Sequence, residues 1–255
     1  MRWLPLFKKE MRLYFGSPVA YVVFTFFLLI SGWFFSQIFL LYSDFSMRAF
    51  SQPQFGQNLN ITESVMRPLF TNMAVVLLFF MPMLTMRLFA EEKRAGTMEL
   101  LLTYPIRDGE VLTGKFLAAV VLYAILLALT LLYPGIVAYF TRVEWGPMLT
   151  SYLGLLLIGG TFLAVGLLIS SLTENQIVAG FGTFGVLLAF WVIGWGADSA
   201  RGGLRTTLQY LSVTEHMDGF TRGIVDTKDL VYYASAIGLA LFLTLRSLES
   251  KRWRG

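Results

Sequence analysis

The sequence predicts an all-α polytopic membrane protein, six transmembrane helices preceded by an N-terminal amphipathic interfacial helix. Composition carries the first half of that reading. Hydrophobic residues make up 56% of the 255-residue chain and charged residues 14%, whereas soluble domains hold about a quarter charged residues. The distribution carries the second half, because the apolar residues gather in six charge-free runs: Val19–Leu41, Leu69–Met86, Phe116–Phe140, Met148–Thr173, Asn175–Ala197 and Leu230–Leu245. About 20 helical residues cross the hydrocarbon. The sixth run is short and borrows residues on both sides. The expected spans are 18–41, 69–90, 110–140, 148–173, 175–197 and 229–248, in one domain over 1–255, with outer loops 42–68 and 198–229.

The first residues, MRWLPLFKKEMRLYFGSP, begin like a signal peptide. The charge-free run that follows is too long, however, and ends without a small-residue cleavage site. Leu4, Phe7, Met11 and Tyr14 fall near one helical face and Lys8, Lys9 and Arg12 on another, which predicts a helix over 2–15 resting in the interface. Gly16-Ser17-Pro18 then ends it, with Ser17 placed to cap the next helix and Pro18 suited to its first turn.

Assigning the connections alternately to two sides gives the orientation. The N-terminal segment carries four Lys and Arg, the second connection five and the C-terminus four, against seven on the other side. Both termini are therefore expected in the cytoplasm. This bias also accounts for the net charge of +4, and no basic soluble patch is available for nucleic acid.

Two stretches match phosphate-binding patterns. In Gly109-Glu-Val-Leu-Thr-Gly-Lys-Phe116 the magnesium hydroxyl of the ATP loop is replaced by Phe116, and the largest gap between spans, the 32 residues Asp198–Asp229, is too small for a nucleotide domain. Asp108 as a cap and Glu110 in the first turn instead make this the start of the third span. The Gly180-Phe-Gly-Thr-Phe-Gly185 match lies inside the fifth span, where small residues permit close helix packing.

Catalytic chemistry is also poorly provided. The chain has no cysteine and one histidine, so thiol chemistry and a histidine-built metal cluster are both excluded. His216, beside Glu215 and Asp218, reads as a surface residue. Residues 198–229 have room for one or two surface helices. Their Leu204, Leu208 and Leu211 recur at helical spacing, to cap the outer mouth of a transport path or to cover the ends of neighbouring spans. Asn60-Ile61-Thr62 is a glycosylation pattern without further support.

The connection after the second span is richer. Its helix is expected to continue over Arg87–Arg94, break at Gly96 and restart with Thr97 as cap and Glu99 near the positive helix end, until Pro105 stops it. The product is a short helix over 97–104 that exposes Met98, Leu101 and Leu102 among charges. An exposed apolar ridge with acidic flanks suits a groove on another protein. As a bare charge run the same stretch is a solvated helix end.

Pro82, Met86-Arg87, Glu91-Glu92-Lys93-Arg94, Gly96-Thr97-Met98-Glu99-Leu100-Leu101-Leu102, Pro105 and Gly114-Lys115-Phe116 resemble the segment after the second span of ABC-2 type permeases. The resemblance extends to the N-terminal FKKEMRLYFGSPVAYVV, to Ser170-Ser-Leu-Thr-Glu-Asn-Gln-Ile177 and to Asp229-Leu-Val-Tyr-Tyr233. It is nearest to the permeases of gliding-motility and nitrous-oxide-reductase-maturation systems.

The resemblance implies a transmembrane subunit of the bacterial inner membrane that pairs with a second permease and binds two cytoplasmic ATPase subunits. ATP and Mg would be bound by those partners, with no cofactor and no catalysis in this chain. Force would enter through a coupling helix, at Glu92, Gly96, Thr97, Met98, Glu99, Leu101 and Leu102, and through Glu174 and Asn175 at a second contact. Without the resemblance Thr173-Glu174-Asn175 is a tight polar hairpin. The function implied is export or extrusion of a substrate the sequence does not identify. The alternative is a non-transporting subunit that transmits ATPase motion to an extracytoplasmic assembly.

Overall fold

The structure, a computed structural model, describes residues 3–51, 60–97, 107–199 and 201–252. Every regular element among them is a helix. Six helical segments are long and apolar enough to cross a membrane: Pro18–Ala49, Thr62–Arg94, Asp108–Phe140, Trp145–Leu172, Gln176–Gly196 and Thr227–Ser250. An even number of crossings returns the chain to one side. The face holding both ends is called the terminal face below.

Helix α1 (Trp3–Gly16) gives way at Ser17, whose hydroxyl accepts the Val19 amide at 3.3 Å, to α2 (Pro18–Ser51). The packed ridge of α1 differs from the expected one. Leu6 and Glu10 are its buried residues and Leu4 is exposed, because α1 lies against the third span, where a Cβ on Gly114 would come within 3.1 Å of Leu6. Helix α2 also runs about ten residues beyond its expected end near Leu41. Charge ends a hydrophobic run but not a helix, and Asp44 pairs with Arg48 one turn on at 3.1 Å.

The second span starts earlier than expected. Asn60 accepts the Thr62 amide at 2.9 Å, a π-helical turn covers Thr62–Met66, and α3 (Arg67–Thr85) follows directly. Beyond Pro82 the backbone passes through irregular turns at 86–89 into the short α4 (Ala90–Arg94).

The third span is two helices, α5 (Asp108–Thr130) and α6 (Leu132–Phe140), broken at Leu131. Pro134 has no amide for the Thr130 carbonyl and its ring crowds that turn, so the break falls one turn before it. At the other end, Arg107 and not Asp108 occupies the cap. It is extended, and its amide donates to Glu110 at 3.3 Å, so Asp108 is the first helical residue.

Helix α7 (Trp145–Leu172) is the centre of the bundle. It packs on α3, on α5, on α8 (Gln176–Ser199) and on α11 (Thr227–Arg252). Its small residues allow this, since a Cβ on Gly159 would lie under 3.0 Å from the Tyr123 ring and one on Gly166 equally close to Thr85. Within an apolar 18-residue stretch of each span, 72% and 67% is buried in the second and fourth, against 28%, 28% and 17% in the first, fifth and sixth. The last three carry the open apolar faces. The glycines of the phosphate-like match divide the same way, with Gly182 close to Ile169 and nothing near Gly185.

On the face away from the termini, α9 (Gly203–Leu211) and α10 (Val213–Thr221) cover the bundle. The leucine stripe of α9 does not do the covering, because Leu204 and Leu211 are exposed. Val213, Met217 and Phe220 of α10 are buried instead, and α10 packs on α7. This docking also overturns the surface reading of His216. Only 5% exposed, its ring stacks on Tyr232, its Nδ1 lies 2.6 Å from Asp229 Oδ1, and its Nε2 lies 3.0 Å from the Tyr210 carbonyl oxygen. The contact forms because the chain turns back after α10 and begins α11 beside it.

Candidate functional site

The residues expected to meet a partner collect around α4, where Gly96 ends the helix. The Ala95 amide donates to Glu91 and the Gly96 amide to Lys93, and Gly96 adopts φ +68°, a backbone that L side chains rarely take. Thr97 turns back, its hydroxyl donating to the Glu92 carbonyl at 3.2 Å. Gly96 and Thr97 are both exposed. Met98, Glu99, Leu101 and Leu102, with the rest of the expected coupling helix, lie outside the described residues.

Glu92 faces inward. Its Oε1 takes Lys9 at 3.0 Å, and its Oε2 lies 3.0 Å from the Lys115 ammonium as an ion pair without hydrogen-bond geometry. Lys115 also meets Glu10 at 2.8 Å and sits 5.3 Å from the centre of the Phe89 ring. The lysine side chain is 1% exposed and the Glu10 side chain 6%. A cation here neutralises two carboxylates that burial would otherwise penalise. One buried group therefore ties α1, α4 and α5 together, and the lysine of the ATP-loop match serves in it.

The second expected contact approaches the same place. Ser170, at the end of α7, accepts the Phe89 and Ala90 amides at 3.1 Å each and donates to the Met86 carbonyl at 3.2 Å. Its one hydroxyl thus satisfies backbone groups freed by the irregular turns after Pro82. Lys93 donates to the Ser171 carbonyl. Beyond it the Asn175 side chain accepts the Ile177 and Val178 amides at 2.9 and 3.4 Å, capping α8. Glu174 and Asn175 are exposed.

The two segments, about 80 residues apart in sequence, thus share one set of hydrogen bonds on the terminal face. Sequence reasoning missed Glu10, Lys115 as a buried ion and Ser170 as the joint. The available signal for the first two was an acid and a base left on helix faces that otherwise read as apolar. Nothing in the sequence marked Ser170 among its neighbours.

A family model described as ABC-2 family transporter protein matches residues 4–246. No curated protein matches the chain.

Proposed function

The chain belongs to the ABC-2 family of transporter proteins, and from that premise we propose that it is the permease subunit of an ATP-binding-cassette transporter, driven by separate ATPase subunits. The family and the six apolar helices make it a multi-pass membrane protein. In the proposed complex two ATPase subunits bind ATP and Mg on the cytoplasmic side and two permease subunits pair in the bacterial inner membrane. The work done is export or extrusion. The order of motifs favours the gliding-motility and nitrous-oxide-reductase-maturation branch.

The observation that carries this reading is the joining of α4 to the α7–α8 connection through Ser170, Ser171 and Lys93. A push on the exposed turn at Gly96 and Thr97 would reach α7 through these bonds, and α1 and α5 through Glu92. Helix α7 is in turn the element on which most of the bundle packs.

Co-purification of the ATPase with the tagged chain tests the assignment. Proline cannot adopt the backbone of Gly96, so Gly96→Pro is expected to misdirect the following segment and lose most of the bound ATPase. Glu174→Arg should weaken it about fivefold, as reversal of an exposed interface charge does, and Glu63→Arg on the other face should have no effect. Normal ATPase recovery and turnover in both variants would remove this site from the interface.

Orientation is tested separately with single cysteines in a chain that has none. A cysteine at Arg94 is expected to react only from the cytoplasm and one at the exposed Glu215 only from outside. The buried His216 is unsuited to this labelling. Reaction of both positions from the same side of sealed cells would overturn the six-span arrangement.

A further inference from the structure

We propose that the cavity between α1, the start of α2 and the α3–α4 junction binds the phosphate headgroup of an anionic phospholipid, with an acyl chain against the cavity's apolar residues. The cavity holds about 460 Å³, within the roughly 300–1,000 Å³ usual for small-ligand sites. Its lining includes the polar side chains of Lys9, Arg12, Tyr14 and Arg87 and the apolar ones of Leu13, Val19, Ala20, Met83 and Leu84.

The lining holds four cations and three carboxylates, and the carboxylates are all engaged. Glu10 pairs with Lys115, Glu92 with Lys9 and Lys115, and Glu91 with Arg87 at 2.8 Å. Arg12 is exposed and has no ion pair or hydrogen bond among the described residues. The Arg87 guanidinium spends three N–H groups on Glu91 and Ser17 and keeps two of its five.

Tyr14 gives the independent sign of a missing ligand. Its hydroxyl is enclosed without a hydrogen-bond partner among the described residues, an arrangement that folding disfavours. Burial, reinforced by the Glu10 carboxylate, pushes its phenol well above the usual range. The group therefore stays a proton donor. Arg12 and Arg87, with spare capacity, line the same cavity as Tyr14 and suit a phosphate oxygen.

The apolar lining decides for a lipid over free phosphate. Leu13 and Met83 are exposed, as are Tyr21 and Val22 further along α2, apolar surface on which an acyl chain can lie. Inorganic phosphate has no use for such a surface. An acyl chain does. The inference rests on α2 and α3 being membrane spans and is independent of the ATPase partnership.

Native mass spectrometry of the full-length protein, loaded with equal phosphatidylglycerol and phosphatidylcholine, reads the proposal. Phosphatidylglycerol is expected to be retained about tenfold over phosphatidylcholine, which has the same phosphate but brings a quaternary ammonium toward the cations of the lining. Tyr14→Phe, which keeps the ring, and Arg12→Gln should each cut the phosphatidylglycerol retained about fivefold, while Arg48→Gln near the far end of α2 leaves it unchanged. No preference in the wild type, or phosphatidylglycerol retention that survives both variants, would overturn the site. A parallel arm with inorganic phosphate separates the sources: variant-sensitive phosphate binding without lipid preference would overturn the lipid assignment. ATPase co-purification is unaffected by any of these outcomes, so failure here leaves the functional reading to its own test.

Discussion

Replacing Lys115 with methionine is expected to destabilise the protein by about 3–5 kcal/mol, the usual effect of removing one partner from a buried ion pair. Methionine keeps most of the volume, so the effect isolates the charge. The Lys115 ammonium serves Glu10 at 2.8 Å and Glu92 at 3.0 Å. Without it two carboxylates face each other in a site almost closed to water, and Lys9 remains only for Glu92. Thermal melting of the purified protein should fall by about 10 °C.

The rescue experiment distinguishes charge from packing. Adding Glu10→Gln and Glu92→Gln to Lys115→Met removes the stranded charges and should restore most of the loss. An unchanged melting temperature in Lys115→Met would mean that the cluster does not hold α1, α4 and α5 together. Failure of the triple variant to recover would assign the loss to packing.

The second large effect is expected at the centre of the bundle. A Cβ at Gly159 would fall inside contact distance of the Tyr123 ring, and that ring is held by its own hydroxyl, which donates to the Leu155 carbonyl at 2.5 Å. Neither helix can yield cheaply, since α7 also packs on α3 and α11. Gly159→Val is therefore expected to cost about 3 kcal/mol, at the upper end for overpacking. Gly185→Val is the control, because nothing lies near that position although it too is a glycine within a span. Expression level and melting temperature should drop for the first and hold for the second. Equal effects at both positions would point to helix propensity, not to contact with Tyr123.

By itself the sequence determined what depends on composition and short range. The six apolar segments follow from runs of residues that water rejects, and the break at Gly96 from the one residue type at ease at φ +68°. The start of α2 follows from Ser17 and Pro18. A family resemblance marked both expected contact segments, although Met98, Glu99, Leu101 and Leu102 lie outside the described residues.

Tertiary structure alone decided which polar groups meet. Glu10 and Lys115 are 105 residues apart and Ser170 lies 80 or more residues from the amides and carbonyl it satisfies, distances over which no local pattern records a pairing. His216 looked like a surface residue because its sequence neighbours are polar, yet the docking of α10 beside α11 buries it against Asp229 and Tyr232. Which glycines are close contacts was likewise undecidable along the chain, since Gly159 and Gly185 differ only in what a neighbouring helix places opposite them. Hydrophobicity and backbone freedom are properties of single residues, whereas the partner of a buried charge is a property of the packing.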